Sequence, residues 1–199
     1  MCCYEKIKEY ILQQPQGTAF AFSDLHLFGE KEEIRNVLSE LIAKEICKEF
    51  LPDIYYRPVY SQLLNKEVSP YSVSVAHAMA RNNGWKISPS FIHAVNQLGL
   101  STQIPAYSIF LSTGPSHKYI FNGIPVEFVH CSDKYLKHMS YVPAMVVTAL
   151  QAIDNEKSML KAVVIIAERL NDEHKDVLKS EIPYAPEHIQ PFLIQISNS

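Results

Sequence analysis

The chain has 199 residues, of which 47% are apolar, and this composition is typical of a folded globular protein rather than a disordered one. Its 18 basic and 21 acidic residues give a net charge of −3, and the N-terminal third carries more acids than bases. This balance excludes a broad basic surface for nonspecific nucleic-acid binding. It leaves room for a local patch that makes a few phosphate contacts.

The N-terminus and the cysteines predict a cytoplasmic protein. Residues 1–5 lack the basic region and apolar stretch of a signal peptide, and no run approaches the ~18 apolar residues of a membrane span. The spacing of Cys2, Cys3, Cys47 and Cys131 is not that of a disulfide framework. We therefore expect reduced thiols.

Three helices and a β-ribbon are predicted over residues 1–60. A helix at residues 4–14 is followed by a short strand at 18–22 and a short helix that includes Leu25 and Phe28. The third helix is the clearest, because its apolar residues recur at helical spacing. They are Ile34, Val37, Leu38, Leu41, Ile42 and Ile46. Residues 54–60 have strand composition.

This order of elements is that of a winged helix-turn-helix, whose long helix enters the major groove while the ribbon contacts the flanking backbone. The expected DNA-binding side chains are Lys31, Arg35 and Asn36 on the long helix and Arg57 on the ribbon. The helix also begins among three glutamates. A winged fold that is used only for protein contacts therefore remains open.

A polar connector predicts a domain boundary, which we place between residues 66 and 67. The N-terminal domain then covers residues 1–66 and an α+β domain covers residues 67–199. A Ser-Pro pair opens a helix that ends near residue 83, and a second Ser-Pro pair precedes a helix at residues 90–98.

Strand patterns replace the helical ones after residue 106. Three strands are predicted at residues 107–111, 119–121 and 125–130. The Asn122-Gly123 pair between the last two is a strong hairpin signal, so we expect an antiparallel meander. Helices return beyond residue 141. The predicted fold class is therefore α+β, with helices around this small meander.

The most informative segment covers residues 80–106. It combines helix ends with hydrogen-bonding side chains and contains no catalytic signature. We expect a recognition surface for a partner, formed by Arg81, Asn96, Ser101, Thr102 and Gln103. The alternative is structural, because a buried asparagine often bonds backbone and an arginine often pairs with a carboxylate. No metal or phosphate-loop motif is present, so we expect neither a metal nor a cofactor.

At these residues the chain resembles the AbiEi-type antitoxins, which regulate transcription in type IV abortive-infection toxin–antitoxin systems. The elements that carry the resemblance are Gly84-Trp85, Pro89-Ser90 and Leu98-Gly99-Leu100-Ser101-Thr102-Gln103, taken together in order. Tyr56, Pro58, Ala80-Arg81, Ile87, Ala94, Asn96 and Pro105 extend it.

The resemblance implies a winged helix that binds operator DNA and represses its own gene, and a C-terminal domain that counteracts a cognate nucleotidyltransferase-like toxin. Two alternatives stay open. One is a partner-binding winged-helix protein that does not bind DNA, which the acidic start of the long helix favours. The other is a small enzyme that acts on a phosphorylated ligand, although no general base or metal motif accompanies it.

Overall fold

The computed structural model of the chain describes residues 2–63, 65–103, 105–121 and 124–199. Contacts divide the chain into two compact units. The first contains the residues up to Trp85, and the second contains Lys86–Ile120 and Pro125–Ser199. Both units combine helices with small sheets, so the predicted α+β class is confirmed.

The described residues of the first unit form three helices and two small sheets. Its helices are α1 (Cys3–Gln13), α2 (Lys31–Ala43) and α3 (Ser72–Asn82), with a 3₁₀ turn at Phe22–Leu25. Its strands are β1 (Ala19–Ala21), β2 (Lys48–Leu51), β3 (Ile54–Tyr56), β4 (Val59–Ser61) and β5 (Lys66–Val68). The first three strands form an antiparallel sheet in the order β1-β3-β2, and β4 pairs with β5.

Apolar spacing explains how α1 and α2 form one core. Ile7 and Ile11 of α1 are buried, and so are four of the five apolar residues at helical spacing on α2, namely Ile34, Val37, Leu38 and Leu41. The helix α2 ends at Ala43, and Glu45 turns the chain with a φ of 56°. Ile46, the last residue of the predicted pattern, therefore packs on this core from beyond the helix.

The unit boundary lies later than the connector suggests. Helix α3, which the sequence assigns to the second domain, packs against β1 in the first unit. The amide of Ala19 donates to Oγ of Ser74 at 2.6 Å, and Arg81 pairs with Asp24. Through these long-range bonds residues 67–85 belong to the first unit, whereas the prediction placed the boundary after residue 66.

The second unit contains a four-stranded sheet and six helices in the described part of the chain. Its strands are β6 (Ile87–Pro89), β7 (Ser108–Ser112), β8 (His117–Phe121) and β9 (Ile124–His130). Its helices are α4 (Phe91–Gln97), α5 (Lys134–His138), α6 (Tyr141–Gln151), α7 (Glu156–Arg169), α8 (Asp172–Glu181) and α9 (Gln190–Ser197), with a 3₁₀ turn at Ile182–Tyr184.

The predicted antiparallel meander is wrong. The strand order is β6-β7-β9-β8, so β9 lies between the two strands that precede it and runs parallel to β7. Burial accounts for this order. Phe110 of β7 and Phe128 of β9 are paired in register and are both buried, whereas Lys118 and Ile120 of β8 are exposed, as is typical of an edge strand. The predicted hairpin turn at Asn122-Gly123 lies outside the described residues.

Helix α6 is the centre of the second unit. Its residues from Pro143 to Leu150 are all buried, and it packs against α4, α7, α8 and β6. Its one buried hydroxyl, Thr148 Oγ1, donates to the carbonyl of Ala144 at 2.9 Å and lies 3.1 Å from the hydroxyls of Ser88 and Tyr135. A hydrogen-bonded hydroxyl is tolerated in such a core.

None of the helices in the described part of the chain combines the length and apolarity that a bilayer crossing requires.

Candidate functional site

The outer face of α2 carries three of the four side chains predicted to bind DNA. Lys31, Arg35 and Asn36 are all exposed, whereas the opposite face of the same helix is buried. Ser39 extends the exposed face by one further turn. The helix therefore presents a polar face on a fixed support, which a groove-reading helix requires.

Arg35 is held beside the turn that joins β2 and β3. Its Nη2 lies 3.2 Å from Oδ1 of Asp53, and its guanidinium lies 4.8 Å from the centroid of the Phe22 ring. Asp53 has a φ of 63°, which turns its backbone sharply at the tip of the ribbon. Both side chains of the ion pair remain substantially exposed, so this guanidinium is oriented and still accessible.

Arg57 does not lie with these residues. Its Nη1 donates to the carbonyl oxygens of Leu12 and Gln14, each at 2.8 Å. These carbonyls belong to the C-terminal end of α1, where backbone acceptors have no partner within the helix. Arg57 is therefore a helix cap, and its predicted role as a ribbon contact to DNA lacks support from its position.

Lys48, on the strand β2 that pairs with β3, is also engaged. Lys48 of β2 forms an ion pair with Glu67 of β5, and Tyr56 donates to the same carboxylate at 2.5 Å. These two hydrogen bonds hold the pKa of Glu67 below its usual range. The cluster joins the two sheets of the first unit.

Acidic side chains surround the cations of α2. Glu30, Glu32 and Glu33 precede or open the helix, in agreement with the favourable interaction of carboxylates with a helix N-terminus. Glu33 turns towards Gly29 and Cys3, and the pKa of the Cys3 thiol is raised first by burial and then by the Glu33 carboxylate. Glu40 pairs with Lys44 at 2.6 Å.

The predicted partner-binding residues are divided between the two units. Arg81 lies on α3 of the first unit, and its Nε and Nη2 each donate to the Asp24 carboxylate at 2.8 Å. Asn96, Ser101, Thr102 and Gln103 belong to the second unit. The structural alternative therefore describes Arg81 well, since its guanidinium ties α3 to the 3₁₀ turn.

Asn96 shapes the loop that follows α4. Its Nδ2 donates to the carbonyls of Gln103 at 2.7 Å and Ser101 at 3.3 Å. Oγ of Ser101 accepts from the amide of Gln103 at 3.1 Å. These bonds fold residues 98–103 into a compact loop, which we call the 98–103 loop. The side chains of Thr102 and Gln103 are exposed on it.

One residue missed by the sequence analysis lies against this loop. Gly99 has a φ of 70°, and a Cβ at this position would overlap the guanidinium of Arg169, the last residue of α7. The guanidinium therefore rests directly on the glycine backbone. The sequence analysis singled out Gly99 but not Arg169. A contact between residues that are far apart along the chain leaves no local pattern in the sequence.

His93 was also missed, and its geometry bears on the enzyme alternative. Nε2 lies 2.7 Å from the carbonyl oxygen of Tyr107, and Nδ1 lies 2.9 Å from Oγ of Ser90. A carbonyl can only accept, so Nε2 carries the proton and Nδ1 accepts from the serine. Both nitrogens of this ring are thus used by the fold, which disfavours His93 as a general base.

Other candidates for catalysis are equally poor. Burial is the main cause that raises the pKa of the Cys131 thiol, whereas a nucleophilic cysteine needs a lowered pKa. Among the described residues, no group of three histidine, cysteine or carboxylate side chains could hold a metal ion.

Comparison with known families identifies the family of this chain. A model described as a family of unknown function, DUF6088, matches residues 6–178. The match spans most of the chain and reaches into both of its units, so the chain belongs to this family. No curated protein matches it.

Proposed function

We propose that this DUF6088 protein is an antitoxin and DNA-binding repressor of its own gene, in which the first unit is a winged helix-turn-helix. The order α1, β1, 3₁₀ turn, α2, β2, β3 and the sheet order β1-β3-β2 support this assignment. In this arrangement α2 is the recognition helix and the turn between β2 and β3 is the tip of the wing.

The observation that carries the proposal is the division of α2 into a buried and an exposed face. The 13 residues of the helix span about 20 Å, enough to cross the major groove, which is about 12 Å wide. Arg35 and Asn36 have the side chains that pair with guanine and adenine edges, and Lys31 suits a phosphate.

The ion pair of Arg35 with Asp53 is compatible with this role. An ion pair at the surface contributes less than about 1 kcal/mol, so the arginine can exchange it for a phosphate or a base. The stacking of the guanidinium on Phe22 limits its freedom before DNA arrives, which lowers the entropic cost of binding.

The DNA-binding part is tested by titrating DNA from upstream of the gene with the full chain. We expect Lys31→Ala together with Arg35→Ala to weaken binding at least about tenfold, since two charge-assisted contacts are removed. Lys66→Ala is the matched control, because Lys66 is exposed in the first unit but lies on β5. No binding by the wild type would exclude the repressor role.

The antitoxin part rests on the resemblance to AbiEi-type antitoxins, and it assigns neutralisation of a nucleotidyltransferase-like toxin to the second unit. Its test is growth of cells that express the neighbouring toxin gene together with this chain. Rescue by the wild type is the expected result. A toxin that stays lethal in the presence of the folded chain would exclude the antitoxin role.

A partner-binding winged helix without DNA binding is the second candidate function. The glutamates at positions 30, 32 and 33 favour it, because they repel phosphates near the start of α2. The same titration separates the two functions. Rescue of growth without DNA binding would support this candidate.

A further inference from the structure

A row of side chains on α7 faces the 98–103 loop. Lys161, Ile165 and Arg169 are spaced by four residues, so they lie on one face of the helix. Arg169 rests on Gly99, while Lys161 and Ile165 line a pocket with Leu100. The loop and the helix thus form one continuous surface, which we call the α7–loop surface.

The pocket in this surface is mostly apolar. Its volume is about 310 Å³. Its lining is mostly aliphatic and includes two hydroxyls and one ammonium group. The lining residues are Val95, Leu100, Ser101, Ile153, Ser158, Lys161, Ala162 and Ile165. A pocket of this size and character accommodates one branched apolar side chain.

Neither cation of this surface is neutralised within the described part of the chain. Lys161 and Arg169 make no hydrogen bond or ion pair there, in contrast to Arg35 and Arg81, which both have carboxylate partners. Contact with the backbone of Gly99 holds the Arg169 guanidinium near one position. An oriented arginine loses less entropy on binding a carboxylate than a free one.

Charge and spacing together specify the occupant. Eight residues separate the two cations along α7, which corresponds to about 12 Å. In an extended chain, residues i, i+2 and i+4 project on the same side and span about 13 Å. An extended peptide with acids at i and i+4 therefore spans both cations, and apolar residues at i−2 and i+2 flank the first acid on the side of the pocket that Lys161 lines.

A nucleic acid fits this surface less well. None of the residues that line the pocket is aromatic, so bases have no platform on which to stack. A protein segment places only its own carboxylates at the two cations.

We propose that the α7–loop surface is a docking site for an extended acidic segment of a partner protein, held by Lys161 and Arg169 with an apolar side chain in the pocket. The partner follows from the proposed function, which identifies it as the cognate toxin. The proposal also gives the 98–103 loop its role, since the loop supplies one wall of the pocket and orients Arg169.

The test uses the full chain and a short labelled peptide with two glutamates about four residues apart and a leucine about two residues to either side of the first glutamate. Saturable binding to the wild type is expected, and Lys161→Glu with Arg169→Glu should weaken it at least about tenfold. The control is Lys86→Glu with Lys157→Glu, which makes the same charge change at two exposed lysines outside the pocket and should leave affinity within about twofold.

Several results would overturn the docking site. These are the absence of saturable binding, equal binding of a peptide with glutamines in place of the glutamates, equal loss in the control, and tighter binding of a single-stranded oligonucleotide. Circular dichroism of each variant checks that all of them remain folded.

Growth assays with the same variants separate this inference from the proposed function. Rescue by the wild type and the control, but not by the variant at Lys161 and Arg169, supports both the docking site and the antitoxin role. Equal rescue by all three would overturn the docking site and leave the antitoxin role intact. Peptide binding without rescue by the wild type would retain the docking site and exclude the antitoxin role.

Discussion

At Gly99 the backbone has a φ of 70° and the Arg169 guanidinium occupies the space where a side chain would begin. Glycine is needed here for two separate reasons, namely the left-handed geometry at the end of α4 and the close approach of α7. Their contributions to the free energy of unfolding can be separated, because at Gly84 glycine is needed only for the left-handed geometry. Its φ is 66°, and no atom lies within 4 Å of its missing Cβ.

Gly99→Ala should therefore destabilise the chain more than Gly84→Ala does. The left-handed conformation costs about 1–2 kcal/mol for alanine at either position. At Gly99 the methyl group must also displace the end of the exposed Arg169 side chain, which adds a smaller cost because a flexible side chain gives way more easily than backbone. Urea unfolding of the two variants measures the difference.

The displacement of Arg169 is tested in a variant that already lacks this side chain. When Arg169→Ala is already present, the extra cost of Gly99→Ala should disappear and the two glycine positions should give similar changes in the free energy of unfolding. An extra cost that persists without the arginine would contradict the close contact described here.

His93 gives a residue-scale prediction about pH. Burial is the main cause that lowers the pKa of this histidine, and its Nδ1 must stay unprotonated to accept from Ser90. The unfolded chain takes up the proton near its ordinary pKa of about 6.5, whereas the folded chain does so only at lower pH. The neutral ring thus contributes stability above about pH 6.5, which is lost as the pH falls towards the folded-state pKa.

His93→Gln should consequently make stability less dependent on pH. We expect the free energy of unfolding to fall less between about pH 7.5 and about pH 5.5 in the variant than in the wild type. His77, whose pKa is also lowered by burial, stays in both proteins and contributes equally. Parallel pH profiles from urea titrations would show that His93 does not make this contribution.

At the scale of elements, what could be predicted depended on whether the signal was local. Helix α2 was predictable because Ile34, Val37, Leu38 and Leu41 all fall on one face, and that face is buried. The role of Arg57 was not predictable, because the carbonyls that accept its hydrogen bonds lie at the end of α1, far from Arg57 in the chain. Its charge and its position on the predicted ribbon made it look like a contact to DNA.

Arg57→Ala therefore tests the cap of α1 and should not alter the DNA interface. The variant loses two hydrogen bonds from a charged donor, and we expect the free energy of unfolding to fall by about 1–3 kcal/mol. Its affinity for upstream DNA should remain within about twofold of the wild type at a temperature where it is folded. Weaker DNA binding at unchanged stability would restore Arg57 to the interface.

At the scale of the whole molecule, the sequence predicted two parts but not the division between them. The connector at residues 62–69 has the polarity of a linker, yet α3 beyond it packs on β1. The same limit applied to the strand order, because nothing in the local pattern of β7 and β9 reveals that they pair in parallel. Both features depend on contacts between distant residues, which composition and periodicity do not record.

A fragment covering residues 1–85 should be more stable than one covering residues 1–66. The longer fragment retains α3, whose residues from Val75 to Ala80 are mostly buried, while the shorter one exposes their partners on β1. The shorter fragment is also marginal by size. We expect cooperative thermal unfolding of the longer fragment at a clearly higher midpoint. Equal midpoints would show that α3 adds nothing to this unit.

The central claim is that α2 reads DNA despite the glutamates at its start. Its most direct test is the salt dependence of binding between the full chain and labelled upstream DNA. We predict saturable binding that is tighter than to a scrambled duplex, and a slope of log K against log salt that falls by about one unit for each phosphate contact removed when Lys31 and Arg35 are replaced by alanine. Equal affinity for the scrambled duplex, or a slope unchanged by the two substitutions, would contradict this account of α2.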